Sequence, residues 1–340
     1  MRLKRFLVII TLWIPFGVTT LYSLPSNYAL VVSSASGDEE FKEKFWSWSN
    51  QMVQILRQDL KFPKGNVIFL FEDPAKGPAD VTANSTKNEL AKAFEDLGSR
   101  LKEDDLLFIL LIGHGSFDGK EYKFNLVGPD ITGSELKSWL DRFSRQHVVL
   151  VCGTPCSGIL TKTLSQKGRV IVTATKNEFE NNDTLFTQFF IEGFKNKSAD
   201  TDKNGQVSIL EAFLYASQKV EGWYKEKNRL ATEHSLLEDN GDQTGSGRPA
   251  PSNGEGLLAA KISLEWPSEG IVEGQGSQAS SPELKHLISS KQKIEAALQE
   301  LKYKKASLPE PEYNQQLESL LVELAQTNQK IQMIKKKEPQ

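Results

Sequence analysis

The strongest constraint on the fold is the stretch LLFILLIGHG at residues 106–115. Its seven apolar residues, 106–112, are too few to span a bilayer and are typical of a strand buried on both faces of a parallel sheet. Gly113 ends the run, and His114 and Gly115 follow it. The pattern predicts an imidazole at the carboxyl end of a central strand, where open α/β sheets bind their ligands. A turn histidine without chemistry is the alternative interpretation.

A second apolar run, HVVLVC at residues 147–152, is followed by the loop GTPCSG. Two neighbouring strands that end in these two loops can bring the His114 imidazole and a thiol together, as thiol hydrolases require. Cys152 and Cys156 are the only two cysteines in the sequence, so a disulfide-stabilised scaffold is excluded. The two thiols could still pair with each other in an oxidising compartment.

Strand-like and helix-like segments alternate along the chain, which predicts an α/β fold with a mostly parallel sheet and right-handed crossovers. Two S/T-x-x-E sequences, at Thr86 and at Thr132, predict helix N-termini, and Asp183 is expected to cap a further helix. The predicted strands are 28–32, 66–71, 106–112, 147–152, 169–174 and an edge strand at 257–264. The predicted helices are 39–60, 86–101, 132–143, 183–194 and 209–224, with a short one after residue 159.

Residues 1–23 are predicted to be a signal peptide, because three basic residues precede a 13-residue apolar segment at 6–18. We therefore expect export to the periplasm or outside the cell, with an uncleaved N-terminal anchor as the less favoured alternative. The mature chain is expected to have no stable membrane span. The net charge of −3 gives no indication of nucleic-acid binding.

The C-terminal part has a different composition. Residues 267–281 are predicted to be a linker, and residues 282–336 an antiparallel helical hairpin, a coiled coil. Its apolar residues follow a three-four spacing on both sides of the helix stop SLPEP at 307–311. A hairpin of this kind can bury one more chain against its seam, so self-association is an expected partner interaction.

Residues 200–211 match the EF-hand loop pattern D-x-[DN]-x-[DN]-G-x5-E at every defined position. Hard oxygen ligands at this spacing predict a structural Ca²⁺ ion. The alternative is an acidic turn that caps a helix. The predicted ligands are Asp200, Asp202, Asn204, the Gln206 carbonyl, Ser208 and Glu211.

The sequences IGHGS at 112–116 and VVLVCGTPCSG at 148–158 resemble the two motif-bearing strands of the caspase and legumain superfamily. The resemblance extends roughly over residues 28–264 and implies a caspase-like α/β/α sandwich at residues 26–266, which includes the 200–211 loop. It also implies peptide-bond hydrolysis by a Cys-His dyad. His114 would then act as general acid/base, Gly115 would donate its N–H to the oxyanion, and a cysteine thiolate would attack the carbonyl.

The nucleophile loop departs from the family pattern. That pattern, Cys-x-Ser-Gly, places Pro155 at the nucleophile position, whereas a loop one residue shorter places Cys156 there. The loop after the first strand, residues 33–37, also lacks the arginine with which legumain-like enzymes recognise their substrates.

Three functional hypotheses follow. The leading one is a legumain-like cysteine endopeptidase with Cys156 as nucleophile, acting on a peptide or protein substrate. The alternative is a catalytically inactive pseudopeptidase that acts as an exported binding scaffold. A third is a calcium-dependent envelope-surface module.

Overall fold

The computed structural model describes residues 25–77, 80–265 and 308–337, together with scattered positions between 287 and 305. The predicted signal peptide, 1–23, and the predicted linker, 267–281, lie outside the described residues. Within the described part of the chain, no helix is both long enough and apolar enough to cross a membrane.

A seven-stranded sheet forms the centre of the molecule. Its strands are β1 (Asn27–Ser33), β2 (Val67–Phe71), β3 (Ala83–Asn84), β4 (Leu106–Ile112), β8 (His147–Gly153), β9 (Arg169–Thr173) and β10 (Leu236–Glu238). The strand order is β10-β9-β8-β4-β1-β2-β3, and all neighbouring pairs are parallel except β10 with β9. The predicted α/β fold with a mostly parallel sheet is therefore confirmed. A small antiparallel sheet contains β5 (Gly115–Phe117), β6 (Tyr122–Phe124) and β7 (Ile131–Thr132).

Helices cover both faces of the central sheet, which gives the α/β/α sandwich expected from a caspase-like chain. All seven residues of β4 are buried, and they alternate between two apolar clusters. The first cluster, on one face, contains side chains of α1 (Glu39–Gln54), α5 (Phe186–Phe194) and α6 (Ile209–Glu226). The second cluster, on the other face, contains side chains of α2 (Lys87–Arg100), α3 (Gly133–Leu140) and α4 (Leu160–Leu164).

The helix starts test the predicted caps. Thr132 and Glu135 form the expected reciprocal capping box of α3, and Thr86 caps α2. The expectation that Asp183 caps a helix is wrong. Helix α5 begins after Leu185, and its N-cap residue makes no side-chain capping hydrogen bond. Its free N–H groups are instead bonded by Glu233, from a distant part of the chain.

The predicted edge strand at 257–264 is also wrong. This segment forms turns and contributes only an isolated bridge between Ser263 and Ser208. The edge position is taken by the antiparallel β10. Buried Ala259, Ile262 and Leu264 explain why the segment has the composition of a strand, since it packs on the first apolar cluster.

The second arm of the predicted hairpin is confirmed as a helix, α7 (Glu310–Lys337). Tyr313 and Ile331 are buried on it, whereas Leu321 and Met333 are about half exposed. Most of the first arm lies outside the described residues, although its described side chains Ile294, Leu298 and Leu301 are buried. The coiled-coil pairing stays a prediction.

Candidate functional site

The two motif loops lie side by side, as the sequence predicts. Strands β4 and β8 are parallel neighbours, and Ile112 is paired with Gly153 at their carboxyl ends. Gly113 turns the chain with φ +121°, and a Cβ at this residue would lie 2.0 Å from Ser34 Oγ. Only glycine allows this approach, so the first loop passes directly over the end of β1.

His114 is fixed by contacts on the α1 face of the sheet. Its backbone N–H donates to Ser34 Oγ at 2.8 Å, and its ring meets Phe41 and Phe45 edge-on. Nε2 lies 3.1 Å from the Ser36 carbonyl oxygen. Because a carbonyl only accepts, Nε2 carries the proton, and Nδ1 lies 4.0 Å from Asp183 Oδ1. The imidazole is therefore oriented by the Ser36 carbonyl and by the rings of Phe41 and Phe45.

Cys156 lies on the opposite face of the central sheet, the face covered by the second apolar cluster. Its side chain is 3% exposed and packs in the second apolar cluster. The residue is left-handed, with φ 58°, and its backbone N–H donates to the Glu180 carbonyl at 2.8 Å. Burial raises the pKa of the thiol, which a hydrogen bond from the Phe117 backbone opposes. The described contacts of the His114 ring do not include this thiol.

Pro155 lies against the predicted oxyanion donor. A Cβ at Gly115 would lie 2.8 Å from the Pro155 carbonyl oxygen and 2.5 Å from Thr154 Oγ1. Thr154 and Pro155 therefore both lie against Gly115, and Pro155 has no backbone N–H to offer a ligand at this point.

Cys152, at the end of β8, is part of a buried polar cluster. Its Sγ lies 3.2 Å from the Tyr122 hydroxyl and 3.4 Å from Thr154 Oγ1, and these two hydroxyl groups are 2.7 Å apart. Burial raises the pKa of this thiol as well. Both cysteines are free thiols, so the two are not paired with each other.

The loop after β9, residues 174–185, forms the outer wall of the site. The Glu180 carboxylate lies 2.5 Å from His234 Nδ1 and also accepts the Lys176 N–H. Phe179 is 73% exposed, and its ring meets Phe117 edge-on. Sequence reasoning missed these residues, because no spacing pattern connects them with either motif.

The loop after β1 has an acidic neighbour. The N–H and hydroxyl of Ser36 both donate to the Glu72 carboxylate, at 2.9 and 2.7 Å. The loop at residues 33–37 therefore has no basic residue and contacts a carboxylate.

The 200–211 loop is held by hydrogen bonds from its own backbone to its acidic and amide side chains. Asp200 accepts the N–H groups of Asn204 and Gly205, and Asn204 Oδ1 accepts the N–H of Gln206. One carboxylate oxygen each from Asp200, Asp202 and Glu211 lies within 4.8 Å of the others, a separation that a shared Ca²⁺ allows. The donor set fits a hard cation.

The same loop also fits the alternative interpretation in part. Glu211 and Ser208 form the capping box of α6, and Glu211 Oε1 accepts the Thr201 N–H at 3.0 Å. The carboxylate thus orders both ends of the loop. Oε1 also accepts the Thr201 hydroxyl, and Oε2 accepts the N–H and hydroxyl of Ser208, so a cation would have to replace some of these donors.

Searches against protein-family models and against curated proteins found no match to the chain. Among solved structures, the chain is similar to a protein from Geobacter sulfurreducens determined as a structural-genomics target. The two are 13% identical with a TM-score of 0.43, over 68% of this chain and 97% of the other. This level of similarity assigns neither a fold family nor a function.

Proposed function

We propose that the chain is a catalytically inactive caspase-like scaffold that binds a polypeptide ligand at the carboxyl edge of its sheet. The observation that carries the proposal is the position of Pro155 against Gly115. The Cys-x-Ser-Gly pattern of the superfamily that the chain resembles has its nucleophile at residue 155, and proline offers neither a nucleophile nor a backbone donor.

The surroundings of Cys156 support the same proposal. A thiol peptidase needs a thiolate beside a histidine, whereas burial disfavours the thiolate of Cys156. The Cys156 N–H is bonded to the Glu180 carbonyl and is not available to an oxyanion. The thiol packs on the face of the sheet opposite the His114 ring. The Cys-His endopeptidase hypothesis therefore has less support than the pseudopeptidase one.

A polypeptide ligand fits the side chains at this edge. The exposed ring of Phe179 and the half-buried Phe117 offer an apolar contact, and Asp183 beside His114 offers a hydrogen-bond acceptor. Self-association through residues 282–336 is the second interaction that we propose, since α7 carries half-exposed apolar side chains.

The chemistry is tested by thiol labelling. We expect iodoacetamide to modify Cys156 in the folded wild-type protein at least about tenfold more slowly than in the urea-unfolded chain. Moving the thiol by one residue, in the Pro155→Cys/Cys156→Ala protein, should give a faster reaction that slows again when His114→Ala is added. Mass spectrometry identifies the modified residue.

A peptide-cleavage assay tests the opposing endopeptidase hypothesis. If the wild-type protein cleaves a peptide library and both Cys156→Ala and His114→Ala abolish cleavage, the endopeptidase hypothesis replaces the proposal. Ligand binding is tested separately by selecting peptides on the wild-type protein. Phe179→Ser should lose the selected peptides, whereas Leu214→Ser, an exposed leucine on α6, should retain them.

A further inference from the structure

We propose that Glu238, Asp242 and Glu255 form a second binding site for a hard divalent cation, Ca²⁺, separate from the 200–211 loop. One carboxylate oxygen from each residue lies within 4.8 Å of the others. Oxygens that share one Ca²⁺ at 2.3–2.6 Å are separated by up to about 5 Å, so one ion can reach all three. We name these three residues the β10 carboxylate site.

Burial distinguishes this site from a solvated acidic loop. Glu238 is fully buried, and its Oε1 accepts the N–H groups of Gly241 at 2.6 Å and Asp242 at 3.1 Å. Its second oxygen, Oε2, is also buried and has no hydrogen-bond partner among the described residues. A buried carboxylate oxygen without a donor is costly, and a coordinated cation supplies the missing partner.

The loop holds its exposed ligand in place. Gly241 turns the chain with φ +87°. The Asp242 carboxylate then accepts the Thr244 N–H at 2.7 Å through one oxygen and the Asn240 amide at 3.1 Å through the other. Because Asp242 is exposed while the glutamates are buried, an ion can enter from solvent without unfolding the loop.

The neighbouring charges leave the site strongly acidic. The Arg169 guanidinium interacts electrostatically with Glu238, and it also lies 3.4 Å from the Asp141 carboxylate. Asp239, which is buried beside the site, is compensated by the N–H groups of Gly256, Leu258 and Ala259. The Ser165 hydroxyl also lies near Glu238.

Burial makes the charge on these groups costly when no cation is present. It raises the pKa of Glu238, and it raises the pKa of Glu255 to about 8.

The ion would connect β10 to the segment 255–264. Glu255 begins this segment, which bonds the start of α6 through Leu210 N–H to Ala259 O and Ile209 N–H to Ile262 O. Ser263 of the same segment bridges to Ser208 of the EF-hand-like loop. Two ions would therefore fix one segment at both ends.

Calorimetric titration of the chelator-stripped full chain with Ca²⁺ tests the proposal. We expect two bound ions in the wild-type protein and one in Asp242→Asn, Glu255→Gln or Asp202→Asn, with at least a tenfold loss of affinity at the altered site. Asp202→Asn combined with Asp242→Asn should bind none. Glu221→Gln, an exposed glutamate on α6, should still bind two.

Melting temperatures separate a cation ligand from a merely structural residue. In EDTA, Glu255→Gln should melt at or above the wild-type temperature, because it removes a buried acid. Addition of Ca²⁺ should raise the melting temperature of Glu255→Gln by less than it raises that of the wild-type protein. If Glu255→Gln does not fold, Asp242→Asn carries the test, since its side chain is exposed. The proposal would be overturned if Asp242→Asn and Glu255→Gln both still bind two ions. It would also be overturned if the wild-type protein binds a single ion and only Asp202→Asn removes it.

Discussion

Glu233 is a buried carboxylate that stabilises the start of α5 from another part of the chain. It accepts the N–H groups of Leu185 at 2.9 Å and Phe186 at 3.1 Å, and the Tyr224 hydroxyl lies 3.4 Å from it. Burial raises its pKa from 4.5 to about 7, although these hydrogen bonds oppose the shift. The group should therefore make folding depend on pH.

The sign and size follow from proton linkage. Between pH 4.5 and 7 the native protein holds a proton that the unfolded chain has released, so the free energy of unfolding falls as the pH rises through this window. With these two pKa values, the contribution of Glu233 is larger at pH 5 than at pH 8 by about 2.5 kcal/mol. Glu255 contributes in the same direction at somewhat higher pH.

Urea unfolding at pH 5 and pH 8, in EDTA, isolates the Glu233 contribution when wild type is compared with Glu233→Gln. Glutamine has the same shape as glutamate and cannot titrate. The difference in the free energy of unfolding between pH 5 and pH 8 should therefore shrink by about 2.5 kcal/mol in Glu233→Gln. Glu221→Gln, exposed on α6, should retain the wild-type difference. An unchanged pH dependence in Glu233→Gln would refute the assignment of a raised pKa.

Two further predictions concern packing and assembly. Gly158→Ala should lower the free energy of unfolding by about 1–3 kcal/mol in urea, because its Cβ would lie 2.2 Å from the Asn177 backbone nitrogen. The control Gly98→Ala, in α2 with open space around it, should be neutral or stabilise by up to about 1 kcal/mol, and equal losses would contradict the packing argument. Leu321→Glu, at a half-exposed position of α7, should weaken self-association at least about tenfold in analytical ultracentrifugation, because a charge in the seam is desolvated. Unchanged association would remove α7 from the interface.

The sequence predicts the central sheet well because its signal is local. A run of seven apolar residues between polar segments has few alternatives to a doubly buried strand, and all seven residues of β4 are buried. The Thr132 capping box is equally local, since both partners lie within one helical turn.

The predictions that failed depend on distant contacts. The N–H groups at the start of α5 are bonded by Glu233, 48 residues away from Leu185, so no nearby residue reveals the cap. The segment 257–264 is apolar because it packs against α6, and the antiparallel β10 occupies the edge of the sheet instead. In such cases a local pattern of apolar residues indicates that a segment is buried, but it does not indicate which element covers the segment.

The candidate site shows the same division. The adjacency of the His114 and Cys156 loops follows from the pairing of β4 with β8, and the sequence allowed these two strands to be neighbours without predicting the strand order. The direction of the Cys156 thiol depends on a left-handed backbone and on the Glu180 carbonyl that receives its N–H, and neither is readable from the residues around it. Glu255 likewise joins Glu238 only through the tertiary structure.

The Ser-Gly pair that resembles a peptidase motif has a complete structural explanation. Ser157 Oγ donates to the Thr154 carbonyl at 2.8 Å, and the Gly158 N–H donates to Thr175 Oγ1 at 2.9 Å. A side chain at Gly158 would collide with the backbone of Asn177. These two residues are therefore required for the loops after β8 and β9 to meet, whether or not a nucleophile precedes them. A chain can keep this part of the motif for packing alone, so the Ser-Gly pair by itself does not indicate a nucleophile.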